Sequence, residues 1–230
     1  MRRLKFLAVA LLLWASAVSG ETIRINDLDD CAWRARDAAA LERCAAETGR
    51  PDVRSRIDEV LTLKKKFYEA LQSPEAASAI PPLLRFDSPW VQLYMIQALE
   101  KGGPNGVAAL LAILKDETLL YSHQATVVSL AGARATDAAP QLLELLKTDH
   151  AYFKSIANEL PERWLASDGY DVQCRYGRMR LTIHALRCLH YAEARDTVLE
   201  VRALWDLVPQ MRWVEDREVL QECEWFLAGR

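Results

Sequence analysis

The sequence lacks the short motifs that mark the common catalytic and cofactor-binding sites. It has no nucleophile elbow, phosphate-cradling glycine loop, dinucleotide fingerprint or zinc-protease motif. No catalytic residue and no cofactor is therefore assigned from it, and the chain does not read as an enzyme. An excess of positive charge is missing too, since 29 Lys+Arg stand against 32 Asp+Glu. A nucleic-acid binder needs a basic face to neutralise phosphates, so no nucleic-acid partner is expected. Histidine is sparse and scattered, at His123, His150, His184 and His190. Only His184 and Cys188 stand at i, i+4, a spacing that can present two metal ligands. Even with Cys174 and Cys223 added, the spacing matches no familiar zinc pattern, and no metal is assigned.

What is present begins with a targeting segment. Arg2, Arg3 and Lys5 form a positive n-region, Phe6 to Trp14 an apolar stretch, and Ala15 to Gly20 a small-residue cleavage region. The apolar stretch is too short to span a bilayer comfortably, and small residues follow it at once. We expect residues 1–20 to be a cleaved signal peptide, the mature chain to be periplasmic or secreted, and no membrane anchor to remain. No cysteine lies near the cleavage region, which argues against a lipid-anchored form. Loss of the three basic residues takes the formal net charge from −3 to −6. Residues 21–230 then suffice for one continuous helical domain, and the nine glycines and nine prolines fall mostly at its internal boundaries.

From Ser88 to Lys147 one helix-turn-helix unit is written twice. Ile96-Gln97-Ala98-Leu99 recurs as Val127-Val128-Ser129-Leu130, and Val107, Leu110, Leu111 and Leu114 recur as Ala139, Leu142, Leu143 and Leu146. Each second helix thus carries a stripe at i, i+3, i+4 and i+7. Ser88-Pro89 starts a first helix, with Ser as N-cap and Pro at N1. That helix is apolar on two sides, through Val91, Tyr94, Met95, Ala98 and Leu99 on one and Leu93 and Ile96 on the other. It needs neighbours on two sides, as a stack provides. Gly102-Gly103-Pro104 is expected to end it, and Asp137 to cap the second helix of the next unit, with Pro140 in its first turn.

These residues resemble the HEAT-like repeat family. The resemblance rests on the Ile-Gln-Ala-Leu core, the polar turn Ala133 to Asp137 and the start of the second helix at Ala139-Pro140-Gln141-Leu142-Leu143, and it covers Ser88 to Asp149. It implies an all-α, HEAT-like α-solenoid of stacked antiparallel helix pairs with irregular ends, used for holding another macromolecule. It carries no catalytic residue. In that family the second helices line the concave face. If Val107, Leu110, Leu111 and Leu114 face the core, Ala109, Ala112 and Lys115 face the groove, beside Gln141, Glu144 and Lys147.

Around this centre the chain is less regular. Residues 21–51 read as a disulfide-stapled helical segment; its Asp27, Asp29 and Asp30 lack the later ligands and turn glycine of a calcium loop and read as a solvated acidic start. Residues 52–160 are expected to hold the repeats, opening with a long helix from a cap at Asp52 that carries Val53, Ile57, Val60, Leu61, Phe67, Tyr68 and Leu71. In it, Lys64-Lys65-Lys66 reads as a solvated face. Ile80, Leu83 and Leu84 belong to a truncated helix beside Pro81-Pro82. Ala151 to Leu160 is expected to open a third unit. Residues 161–174 read as an inserted loop, and 175–230 as C-terminal helices and a cap. Trp164 in the loop either makes contacts or covers the core edge. Of the clustered Arg163, Arg175, Arg178, Arg180 and Arg187, Arg178 is kept as a surface candidate, beside the reading that such residues bridge repeats.

Five cysteines in an exported chain leave one over. Cys31 and Cys44 are expected to pair if the chain reverses between them, since one unbroken helix would hold them about 20 Å apart. The other reading is two buried thiols. Cys174 and Cys188 on one helix are separated by a similar distance, so Cys188 is expected to pair with Cys223, leaving Cys174 unpaired or bonded elsewhere. Functionally the sequence points to an interaction module with a protein partner, of inhibitor, immunity or envelope-accessory type. The alternative is an enzyme or small-ligand protein with a pocket near residues 161–190.

Overall fold

A computed structural model describes residues 28–36, 39–40, 42, 53–160, 169–207 and 216–229. Among them every regular element is helical, α or 3-10. Two compact units, Met1–Ala109 and Leu110–Arg230, are taken separately below.

In the first unit, helix α1 (28–34) buries Leu28, Ala32 and Trp33. Helix α2, Val53–Gln72, buries Ile57, Val60, Leu63 and Phe67, spaced three or four residues apart on one stripe. Trp33 packs 5.9 Å from Phe67 and stacks on the half-exposed Tyr68 at 6.4 Å. The lysine run is not uniformly solvated. Lys64 is half-buried and donates to the carbonyls of Trp33 and Ala35, closing the C-terminal end of α1 with a cation. Nor is the acidic start solvated: Asp29 is wholly buried and held by Arg56, Nε to Oδ1 at 2.7 Å and Nη2 to Oδ2 at 2.6 Å.

A short helix α3, Ala76–Ala79, and a 3-10 turn, Pro81–Arg85, follow, with Pro81-Pro82 tolerated at the start of the turn. Helix α4, Pro89–Leu99, starts as expected, with Ser88 Oγ accepting from Val91 N. It buries Val91, Leu93, Met95, Ile96 and Leu99, apolar residues on both sides. Gly102-Gly103-Pro104 does more than end it. Gly103, at φ +61°, and Pro104 form the first turn of α5, Gly103–Lys115. A Cβ at Gly106 would lie 2.1 Å from the Leu99 carbonyl oxygen, so only glycine permits this approach of α5 to α4.

The second unit contains the end of α5, then α6 (Leu120–Gly132), α7 (Ala139–Ser155), α8 (Gly169–Cys188), α9 (Arg195–Leu207) and α10 (Asp216–Leu227). Helix α8 packs on α6, α7 and α10, while α9 packs on α7 and α10. The α6–α7 and α8–α9 junctions are built alike. Each first helix ends at a non-glycine residue in the left-handed region, Arg134 at φ 53° and His190 at φ 55°. The next N–H reaches back five residues, Ala135 to the Leu130 carbonyl and Tyr191 to that of Leu186. A 3-10 turn then leads into the second helix, Thr136–Ala138 before α7 and Ala192–Ala194 before α9. Asp137 lies inside that turn and does not cap α7, whose N-cap is Ala138.

The third unit differs from expectation. Ala151 does not begin a helix, because α7 runs unbroken through it to Ser155, carried by Asp149 and Phe153 on its buried side. The next long helix among the described residues is α8, which begins at Gly169, before Arg175.

Candidate functional site

Two groups of titratable side chains meet in the second unit, one sealed and one open. The sealed group centres on Arg178, which is fully buried in α8. It grips the equally buried Asp149 of α7 with two bonds, Nε to Oδ2 at 2.9 Å and Nη2 to Oδ1 at 2.5 Å. Arg178 Nη1 reaches Glu117 Oε1 at 3.1 Å and His123 Nδ1 at 2.6 Å. A guanidinium only donates, so His123 Nδ1 accepts and its Nε2–H donates to the Ile113 carbonyl at 2.9 Å. Burial, and then the Arg178 charge, push the His123 imidazole down to about 4, so it stays neutral. Burial resists ionisation of Glu117, but Arg178 and Arg175 carry its carboxyl below the usual range. These groups tie α6, α7 and α8 together.

The open group lies at the other end of α8. Cys188 is the exposed last residue of the helix, and its Sγ lies 3.4 Å from Nε2 of His184, one turn earlier. The other ring nitrogen, Nδ1, stands 3.3 Å from the Glu222 carboxylate of α10. Arg187 Nη2 approaches the same carboxylate at 3.2 Å and Nδ1 at 2.8 Å, while its guanidinium lies 5.4 Å from the centre of the Trp225 ring. Cys188 and then Glu222 raise His184 to about 9. His184 in turn holds the Cys188 thiol below its ordinary value against the opposing effect of burial. Glu222 lies within 3.3 Å of both His184 Nδ1 and Arg187 Nη2 and offsets the repulsion between these groups. The arrangement sets a cysteine sulfur beside an imidazole that is flanked by a carboxylate and a guanidinium, the components of an activated nucleophile. A cavity of about 270 Å³ begins at Arg187 and is lined by His190, Tyr191, Arg195 and Phe226, with Gly229 at its edge.

The residues anticipated from sequence divide sharply. Lys115, Gln141, Glu144 and Lys147 are exposed, and the last two pair with each other at 2.7 Å. Their expected neighbour Ala109 is buried. Arg178 is no surface residue, because its charge is consumed by Asp149, Glu117 and His123 inside the core. Trp164 and Cys44 lie outside the described residues; Cys31, on α1, is half-exposed. The expected Cys188–Cys223 bridge is not made. On α10 it is Glu222 that faces His184 and Arg187, which turns the adjacent Cys223 about 100° away, into the core. Among the described residues no three metal-competent side chains converge.

Sequence reading missed Asp149, His123 and Glu222. Asp149 had a signal, a carboxylate on the apolar stripe of Leu142, Leu146 and Phe153, where only a paired charge can stay. Glu222 had none, since nothing local sets which face of α10 meets α8. Compared with family models, curated proteins and solved structures, the chain matches none of them.

Proposed function

We propose that this protein is an exported HEAT-like stack whose second-type helices form the face that receives a protein partner. The observation that carries this is the pairing of like with like in the second unit. First helices α6, α8 and α10 follow one another, α8 lying on both others, and second helix α9 lies on second helix α7. That layering is what a solenoid of helix pairs produces. It leaves Gln141, Glu144 and Lys147 of α7 and Leu199, Glu200 and Arg202 of α9 exposed. Leu199 is among the few exposed large apolar side chains, at 42 % exposure. Export is supported by Arg2, Arg3 and Lys5 ahead of Phe6 to Trp14 and the small residues to Gly20.

The test is crosslinking of the tagged mature protein in its own compartment, with wild type and with the exchange Glu144→Lys, Lys147→Glu. The exchange preserves the local ion pair and the net charge but inverts the charge pattern, so folding should be unaffected. Loss of the crosslinked partner with unchanged melting supports the face; an unchanged partner yield removes it. Intact mass of the exported protein decides the leader, and retention of Met1 to Gly20 would refute export with cleavage. A second reading, ligand handling at the C-terminal end of α8, is favoured by one observation, the convergence of Cys188, His184, Glu222 and Arg187 beside a cavity.

A further inference from the structure

The open group at the end of α8 has a use that does not depend on the partner-binding face. Three observations bear on it. The first is geometric: Cys188 is exposed, and its sulfur has His184 within reach, oriented from behind by Glu222. The second concerns the helix. Cys188 ends α8, where carbonyls rather than N–H groups face outward, so the helix gives a thiolate no help and offers no pair of backbone donors for an oxyanion. Acyl transfer needs such donors. Thiol–disulfide exchange does not, because its charge spreads over three sulfurs in line. The third is the neighbouring cavity. It shares Arg187 with the cluster, adds Arg195, and has no carboxylate side chain among the described residues that line it, while Tyr191 and Phe226 supply an apolar wall.

We propose that Cys188 exchanges with a small disulfide bearing carboxylates, which seats in the Arg187–Arg195 cavity and leaves Cys188 in a mixed disulfide. In the step, the Cys188 thiolate attacks one sulfur of RS–SR′. The Cys188 Sγ–S bond forms as the RS–SR′ bond breaks, and the electron pair departs on R′S⁻. The proton that Cys188 surrendered to His184 passes to that leaving thiolate. Cys188 is oxidised and half of the disulfide is reduced, so the disulfide itself is the oxidant. Charged groups facing His184 are Arg187 on its own helix and Glu222 on α10; Glu218 on α10 is occupied by Arg180.

The experiment uses the full mature chain at pH 7 with glutathione disulfide as the anionic probe and cystamine as a cationic one, each rate normalised to that of an unstructured cysteine peptide. We expect one adduct, mapped to Cys188. The normalised rate with glutathione disulfide should exceed that with cystamine by about fivefold, the ratio expected of one or two partly exposed ion pairs. Arg195→Gln should shrink that preference from both sides, slowing glutathione disulfide and, by removing a like charge, speeding cystamine, a readout that a merely structural residue would not move. His184→Gln should slow both probes a few-fold, the gain in thiolate fraction being partly offset by lower intrinsic nucleophilicity. It should also return the pH midpoint of the reaction towards the ordinary thiol value of about 8.5. Circular dichroism of each variant checks folding, and Arg195→Gln, at the cavity rim, serves if His184→Gln does not fold. The proposal is overturned by a normalised rate equal to the peptide's, by adducts at Cys174 or Cys223 instead, or by equal rates for the two probes. Steady hydrolysis of a thioester with no mixed disulfide formed would overturn it in favour of acyl transfer.

Discussion

Replacing Arg178 by Met tests what holds the second unit together. The change keeps most of the side-chain volume on α8 but strands the Asp149 carboxylate, which is fully buried and would retain only Arg175 Nη1 at 3.7 Å. It also removes the donor to His123 Nδ1 and one partner of Glu117. Breaking a buried pair from one side costs about 3–5 kcal/mol, because the desolvated partner is left uncompensated. For a chain of this size that is a fall in melting temperature of roughly 6–20 °C. The assay is thermal and urea unfolding followed by far-ultraviolet circular dichroism, for Arg178→Met, Asp149→Leu and the double variant. The double variant should recover much of the loss, since replacing both members of a buried pair by apolar groups is often neutral. The pH dependence adds an internal check. Burial already pushes the Asp149 carboxyl upward, and without Arg178 the charge of Arg175 is left to oppose it from 3.7 Å. Asp149 is then protonated in the folded variant while still ionised in the unfolded chain, so the variant should gain stability as pH falls from the raised value towards about 4. A loss under about 1 kcal/mol, or a double variant as unstable as the two single losses added, would refute the assignment.

In the wild type His123 gives the opposite sign. It is neutral in the fold down to about 4 but titrates near 6.5 when unfolded, so stability should fall between those values as pH drops, by up to roughly 3 kcal/mol. His123→Gln should flatten that slope in urea titrations at several pH values, and an unaltered slope would count against it. Gly106→Ala should destabilise by at least about 2 kcal/mol although alanine favours helices by ~1 kcal/mol, because the obstructing atom is the Leu99 backbone oxygen; a stabilised variant in thermal melts would show that α5 is not pressed on α4. Ser88→Ala should cost about 0.5–1 kcal/mol by loss of the bond to Val91 N, and no change in the urea midpoint would deny the cap.

Helix placement from α2 to α6 was legible because it is written locally. The Ser88-Pro89 start, the two-sided apolar pattern of α4 and the stripe of α2 all follow from neighbouring residues. The end of α7 was not legible, because Asp149 breaks an apolar stripe only until its partner 29 residues later is known. The same ignorance of partners misassigned Arg178 to the surface and Asp29 to solvent. His184 and Cys188 were visible as an i, i+4 pair, but their meaning changed once Glu222 filled the third place. The Cys188–Cys223 pairing failed by a single position on α10, and one residue is a large error on a helix, where it turns a side chain through about 100°.

That single position gives the molecule two thiols that report on different motions. Cys188 is exposed in the folded chain, whereas Cys223 is sealed under α10, a helix packed on α8 and α9. A thiol-specific label therefore reads Cys188 at the rate of its own chemistry and Cys223 at the rate at which α10 lifts. If α10 departs by itself, labelling of Cys223 will depend weakly on urea, in proportion to the small surface one helix exposes. Should it depart only with the whole unit, that dependence will match global unfolding. Helix α10 thus carries its own clock for distinguishing a helix that frays from one that unfolds with its neighbours.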